Sequence, residues 1–177
     1  MKRWLGLAVI PLLLTACGPT AGPLGRPGGT GKTGSWSGGG VRSGQFFVTA
    51  ISLAQRPRNK PAVLLSARPF KASDARGLAI RYAAVKAPSY GMSIGGARGW
   101  KPKAWGLRTL PGFVVGPDER AAVVVGATSS RPGHYFIRSF VIEYLIGSRH
   151  YRAIFDQGLE VCVGADHCPS WTDPAKG

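Results

Sequence analysis

From Gln45 onward, short apolar runs rich in Val, Ile, Phe and Tyr are interrupted at close intervals by Gly and Pro. Runs of this length and composition, bounded by turn residues, are typical of β-strands rather than helices. Because most of the runs follow one another through short connections, we expect antiparallel pairing. The pattern predicts strands at residues 45–53, 62–67, 77–85, 105–110, 121–127, 135–146, 149–155 and 159–163.

One hairpin is specified by its turn. The run at 135–146 leads into Gly147-Ser148 and is followed directly by the run at 149–155. A two-residue loop that begins with Gly favours the type II′ turn, whose twist matches that of the flanking strands. The first run is apolar on both faces, with Phe140 and Tyr144 on one and Val141 and Leu145 on the other. It is therefore predicted to be a central strand.

Seven or eight short strands over roughly 120 residues fit an all-β fold, an antiparallel immunoglobulin-like β-sandwich. A small closed barrel is the alternative. The pattern places this domain at residues 45–164 and leaves 165–177 as a C-terminal tail. The irregular segment 88–103 is the longest predicted loop, and long loops on a rigid scaffold often carry binding residues.

The first seventeen residues have a separate character. Lys2 and Arg3 precede an apolar run at residues 4–14, and the sequence Leu14-Thr15-Ala16-Cys17 follows. A positive start and a short apolar run before small residues are typical of a secretory signal peptide, and the run is too short to span a bilayer.

This leader resembles that of bacterial lipoproteins, in which Leu, two small residues and Cys form the lipobox. The resemblance covers only residues 1–17 and implies removal of residues 1–16, with a diacylglyceryl group on the Cys17 thiol. It also implies a position at the extracytoplasmic face of a bacterial membrane, inner or outer. Two acyl chains hold durably, since each buried methylene contributes about 0.8 kcal/mol. An ordinary secretion signal with a chance cysteine is the alternative.

Residues 17–44 carry the lipidated cysteine and then a segment of mostly Gly, with Pro, Ser and Thr. Such a composition buries too little apolar surface to offset the entropy of ordering. The segment is therefore predicted to be a flexible tether between the membrane and the domain.

Two cysteines remain after the lipobox, Cys162 and Cys168. An even pair in an oxidising compartment predicts a disulfide, which would stabilise the fold by about 2 kcal/mol. The alternative is metal handling by Cys162, His167 and Cys168, because thiolates and imidazole bind zinc or copper(I).

No catalytic or cofactor motif is evident. A nucleophilic site needs a nucleophile, a general base and a group to orient that base, and none of His134, His150 and His167 lies in such a motif. We expect a non-catalytic module without cofactor or resident metal. An envelope enzyme whose site is assembled from distant residues is the alternative.

The chain carries a formal charge of +15, which favours anionic neighbours. Outside the cytosol these are membrane lipid, an anionic envelope polymer or an envelope protein, and nucleic acid is not expected. Basic and aromatic residues form two clusters that are candidate anion or ligand contacts: Arg56, Arg58 and Lys60, then Arg98, Trp100, Lys101 and Lys103. Solvated loops with partly buried tryptophans explain the same residues, and this interpretation is the favoured one.

Overall fold

The computed structural model describes residues 20–21, 24–25, 35–55, 60–86 and 96–168. The predicted leader, Cys17, Arg56 and Arg58 lie outside these ranges. The strands are β1 (Thr20–Ala21), β2 (Leu24–Gly25), β3 (Ser35–Val41), β4 (Phe47–Gln55), β5 (Ala62–Pro69), β6 (Ala79–Lys86), β7 (Ala97–Arg98), β8 (Val114–Val115), β9 (Arg120–Thr128), β10 (Gly133–Ile137), β11 (Phe140–Ile146), β12 (Arg149–Phe155) and β13 (Gln157–Val163). A short 3-10 helix covers Ala72–Ala75. Within the described ranges, no helix has the length and apolar character to cross a membrane.

The first layer is built on the long hairpin. In one half the strand order is β1-β12-β11-β5-β8, and in the other half it is β10-β13-β3. Only Asp156 separates β12 from β13, and only Arg138 and Ser139 separate β10 from β11. Each long strand therefore contributes to both halves, and β1 and β3 add to the same edge, parallel to β12 and β13 respectively.

The second layer has the order β2-β4-β9-β6, with β7 paired to the start of β4. Its strands place apolar side chains on both faces of the layer, because successive residues of a strand point to opposite faces. One face meets the first layer in a single core that contains Phe47, Ile51 and Val123 from the second layer and Leu64, Phe140 and Tyr144 from the first. The opposite face carries a smaller cluster around Val48, Val85, Ala122 and Val124.

The two ends of the sandwich differ. At the hairpin end lie the Gly147–Ser148 turn, the start of β5 and the turn from β8 to β9. At the disulfide end lie the last residues of β13 and the start of β4. Since β1 runs parallel to β12, with Thr20 opposite Tyr151, the chain enters the sandwich near the hairpin end.

Most of the predicted domain is confirmed. The fold is an all-β sandwich of mainly antiparallel strands, and seven of the eight predicted runs contain strands. The predicted hairpin pairs Ile146 with Arg149 across Gly147–Ser148, and Gly147 has a φ of +59°, as the first position of a II′ turn requires.

The tether prediction is wrong for residues 35–41, which form β3. Gly39 and Gly40 are needed there because their surroundings leave no space for a side chain. A Cβ on Gly39 would meet the Phe47 ring, and one on Gly40 would meet the backbone at Ala165 and Asp166, each at under 3.0 Å. Close approach of another segment of the same chain is a recognised reason for Gly in a strand.

Residues 20–21 and 24–25 are also part of the sandwich. Leu24 is buried, and its backbone N–H donates to the Tyr144 hydroxyl at 2.8 Å in the core. β1 pairs with the first layer and β2 with the second, so this short stretch joins both layers at one edge. The ordered domain therefore begins well before Gln45.

Two other predictions need correction. Residues 105–110 do not form a strand, and only Arg108 makes a bridge, to Ala84. The predicted single strand at 135–146 is interrupted at Arg138 and Ser139, where the chain passes from one half of the layer to the other. The interruption changes the alternation, so that Ile137 and Phe140 both enter the core.

Candidate functional site

The segment from Ala97 to Arg108 folds over the outer face of the second layer. Trp100, Trp105 and Leu107 pack on the cluster around Val48 and Val124. Trp100 lies over Gly126, where a Cβ would come within 2.6 Å of its ring. The Phe46 ring lies between Trp100, at 6.1 Å, and the Arg81 guanidinium, at 4.7 Å. The second basic and aromatic cluster is thus largely a packing element, which agrees with the alternative that the sequence left open.

The cations of that cluster have different surroundings. Arg98 Nη2 donates to the backbone carbonyl of Asp166 at 2.6 Å, so it supports the loop that follows β13. Lys101 and Lys103 are exposed. Lys60 is exposed at the start of β5, at the other end of the sandwich. Among the described members of the two basic clusters, Lys60 and Arg98 therefore lie at opposite ends of the sandwich.

A cavity of about 540 Å³ opens at the hairpin end, on the edge formed by β6 and β8. Its apolar lining comes mainly from Phe113, which is buried, and Val114, which is 47% exposed. Its charged lining is Lys86, Arg108 and Glu119. A concave surface that combines apolar groups with a few charges is the usual form of a ligand site.

The charges of the cavity are unevenly matched. Lys86 Nζ contacts Glu119 Oε1 at 2.7 Å, and the Gly116 N–H donates to Glu119 Oε2 at 2.9 Å. The hydrogen bond from Lys86, with that from Gly116, lowers the pKa of the Glu119 carboxyl below its usual range. Arg108 has no side-chain ion pair or hydrogen bond within the described part of the chain, and its charge is available to an anion.

A third cluster lies at the disulfide end. The predicted bond between Cys162 and Cys168 is present, with a Cα–Cα distance of 5.3 Å. His134 Nε2 contacts Glu160 Oε1 at 2.5 Å beside it. The ligand atoms of these four residues all lie within 4.8 Å of one another. His167, which the sequence offered as a metal ligand, is exposed and is not in this group.

The histidines have separate environments. His134 pairs with Glu160. His150, on β12, has its Nε2 atom 3.7 Å from Glu143 Oε2 on β11, and His167 is in the loop between the cysteines. None of them lines the cavity at the hairpin end. Within the described ranges no histidine is hydrogen-bonded to a serine, and the two cysteines near His134 are bonded to each other.

Sequence reasoning missed Lys86, Arg108, His134 and Glu160. One signal was accessible for the last: Glu160 and Cys162 are two residues apart in a predicted strand, so both point to one face. The two cations of the cavity had no such signal. Lys86 and Arg108 belong to different segments, which the bridge between Ala84 and Arg108 brings together.

No protein-family model matches the chain, and no curated protein matches it. Among solved structures, the chain is similar to an ASH / PapD-like domain of human CEP192 (PapD-like domain 7), with 10% sequence identity and a TM-score of 0.44. The match covers 92% of this chain and 97% of that domain.

Proposed function

We propose that the chain is a bacterial lipoprotein, anchored through Cys17, whose sandwich is a non-catalytic binding module that contacts anionic lipid headgroups at the extracytoplasmic face of the membrane. The leader supports the anchor, and the net charge supports the choice of partner. The surroundings of the three histidines support a binding role rather than catalysis.

The observation that carries the proposal is where the chain enters the sandwich. β1 begins at Thr20, three residues after Cys17, and three extended residues span at most about 10 Å. Thr20 pairs with Tyr151, close to the Gly147–Ser148 turn, so β1 begins near the hairpin end. A lipid on Cys17 would then hold this end of the sandwich close to the bilayer, without a long tether.

The charges at the hairpin end suit that position. The cations described at this end are Lys60, Lys86, Arg108, Arg120 and Arg149. They outnumber the two carboxylates there, Asp118 and Glu119. Each basic residue near an anionic membrane surface contributes about 1 kcal/mol of attraction. The cavity adds a place where Arg108 can meet a phosphate while Phe113 and Val114 meet apolar atoms.

The anchor is tested by expressing the full chain in a bacterium with and without Cys17→Ser, with fatty-acid labelling and mass spectrometry of the mature N-terminus. We expect a diacylglyceryl-modified cysteine at residue 17 and loss of membrane partition in the variant. A mature protein with an unmodified N-terminus would overturn the anchor.

The orientation is tested separately with mature chain that carries Cys17→Ser and is mixed with vesicles of phosphatidylglycerol or of phosphatidylcholine. We expect flotation with the anionic vesicles alone, weakened by Arg149→Gln at the hairpin end. Arg131→Gln is the matched control, because Arg131 is an exposed cation at the disulfide end. Equal effects of the two variants would refute the assigned orientation and leave the anchor untouched.

A further inference from the structure

We infer that the cluster at the disulfide end is a zinc site in its reduced form, with Cys162, Cys168, His134 and Glu160 as the four ligands. This inference does not depend on the lipid anchor. In the oxidised form the two sulfurs are bonded to each other, and the site is closed to metal.

The strand register places three of the ligands on one face. His134 on β10 is the cross-strand partner of Cys162 on β13, so the two side chains are direct neighbours. Glu160 precedes Cys162 by two residues and points to the same face. The loop after β13 returns Cys168 to this face, and the four ligand atoms lie within 4.8 Å of one another.

The neighbouring strand contributes no side chain beside these ligands. Gly38 and Gly40 of β3 are the register partners of Glu160 and Cys162, so no side chain from β3 occupies the space beside them. The backbone of residues 165–167 passes over Gly40 instead and covers one side of the cluster. The His134 side chain is 49% exposed, so an ion can enter the cluster from the side on which His134 lies.

The charge of the site favours a cation. The Glu160 side chain is only 10% exposed, and His134 is its one described side-chain partner. A buried carboxylate is costly unless it is paired with a charge or coordinates a metal. In the reduced form, a divalent ion would be held by that carboxylate together with two thiolates and an imidazole.

The ligand set fits Zn²⁺ by type and number. Zinc sites in proteins use four Cys, His and carboxylate ligands in a tetrahedron, with Zn–S near 2.3 Å and Zn–N and Zn–O near 2.0–2.2 Å. Two sulfurs on one zinc ion are then about 3.8 Å apart. Because Cys162 is held in β13, the change in the sulfur–sulfur distance is a movement of Cys168, which lies beyond the strand at the end of the loop.

The two forms interconvert by thiol chemistry that balances. A dithiol reductant transfers two electrons and two protons to the Cys162–Cys168 bond and becomes a disulfide, leaving two thiols on the protein. Zinc binding then displaces two thiol protons, because thiolate is the form that ligates. Thiol–disulfide exchange with an oxidant disulfide removes two electrons from the pair, re-forms the Cys162–Cys168 bond and leaves the oxidant as two thiols, which removes both sulfur ligands and releases the ion.

The test is a Co²⁺ titration of the full chain without its leader, reduced with a phosphine under anaerobic conditions. We expect a 1:1 complex with thiolate-to-cobalt charge-transfer bands and the visible bands of tetrahedral Co²⁺, and displacement by Zn²⁺. The oxidised protein should give neither set of bands. Absence of the tetrahedral spectrum in the reduced protein would overturn the inference.

Ligand identity is tested with His134→Ala and Glu160→Gln, which should each weaken Zn²⁺ binding by at least ~100-fold. His167→Ala is the matched control, because His167 is adjacent to Cys168 in sequence and lies outside the cluster. Circular dichroism and the thermal midpoint of the reduced protein, with and without Zn²⁺, report folding in each variant. Equal affinities in the His134 and His167 variants, or loss of binding only in the latter, would refute this ligand set.

Discussion

Replacement of Gly40 by Ala tests whether residues 35–41 form a packed strand or a flexible tether. The new Cβ would lie under 3.0 Å from the backbone of residues 165 and 166, and ordinary contact begins at 3.4 Å. The loop cannot easily withdraw, because three links hold it. The Cys162–Cys168 bond closes it, the Gly164 N–H donates to the Val41 carbonyl, and Arg98 donates to the Asp166 carbonyl.

The required displacement exceeds one ångström of backbone. Overpacking of this kind typically destabilises by 1–3 kcal/mol, and we expect about 2 kcal/mol for Gly40→Ala. For a domain of this size, that loss lowers the thermal midpoint by roughly 4–8 °C.

Gly38→Ala is the matched control in the same strand. Its Cβ would meet Glu160 Oε2 at 2.8 Å, at the flexible end of a side chain that can move aside. We expect a loss of about 0.5 kcal/mol, as for most exposed positions. The measurement is urea unfolding of both variants, followed by tryptophan fluorescence under non-reducing conditions.

A flexible tether predicts a different result. If residues 35–41 were unstructured, both substitutions would be neutral, because neither side chain would meet a neighbour in the folded state. Equal midpoints for the two variants and the parent would refute the packed strand.

Three further outcomes are expected. Trp100→Ala should destabilise by about 2 kcal/mol in urea unfolding, because it exposes the cluster around Val48 on the outer face of the second layer; an unchanged midpoint would contradict that packing. Cys162→Ser combined with Cys168→Ser should cost about 2 kcal/mol, and a reductant should lower the parent's midpoint while leaving the variant's unchanged. Burial raises the pKa of Tyr144 to about 12, so the folded state retains a proton that the unfolded state loses near pH 10. The free energy of unfolding should therefore fall between pH 10 and 12, and less so in Tyr144→Phe; parallel pH profiles would contradict this assignment.

The strands that could be predicted are those whose signals are local. The hairpin across Gly147–Ser148 follows from its turn residues and the alternation beside them. β9 follows from a continuous run of small and β-branched residues that is buried on both faces. In each case the residues that define the element also determine its boundaries.

β3 could not be predicted because the reason for its composition lies elsewhere in the chain. A run of three glycines favours a linker by composition, and its partners are more than a hundred residues later. Gly39 is required by the Phe47 ring and Gly40 by the loop after Cys162, and neither neighbour is visible in the local sequence. The same limitation applies to residues 105–110, whose apolar side chains pack onto a sheet without joining it.

The candidate sites were predictable to different degrees. The Cys162–Cys168 bond follows from the even count and the short spacing, and the structure contains it. The role of Arg98 did not follow, because a basic residue near Trp100 suggests a ligand contact, whereas its partner is the carbonyl of Asp166. Arg56 and Arg58 remain predictions, since they lie outside the described residues.

The parallel pairing of β3 with β13 constrains the order in which this protein can form. Residues 35–41 leave the ribosome long before their partners at 157–163. Pairing between such distant segments makes folding slow, since a long loop must close before any contact is gained. A chain still being synthesised therefore cannot complete this layer until residues 157–163 are available to pair with β3.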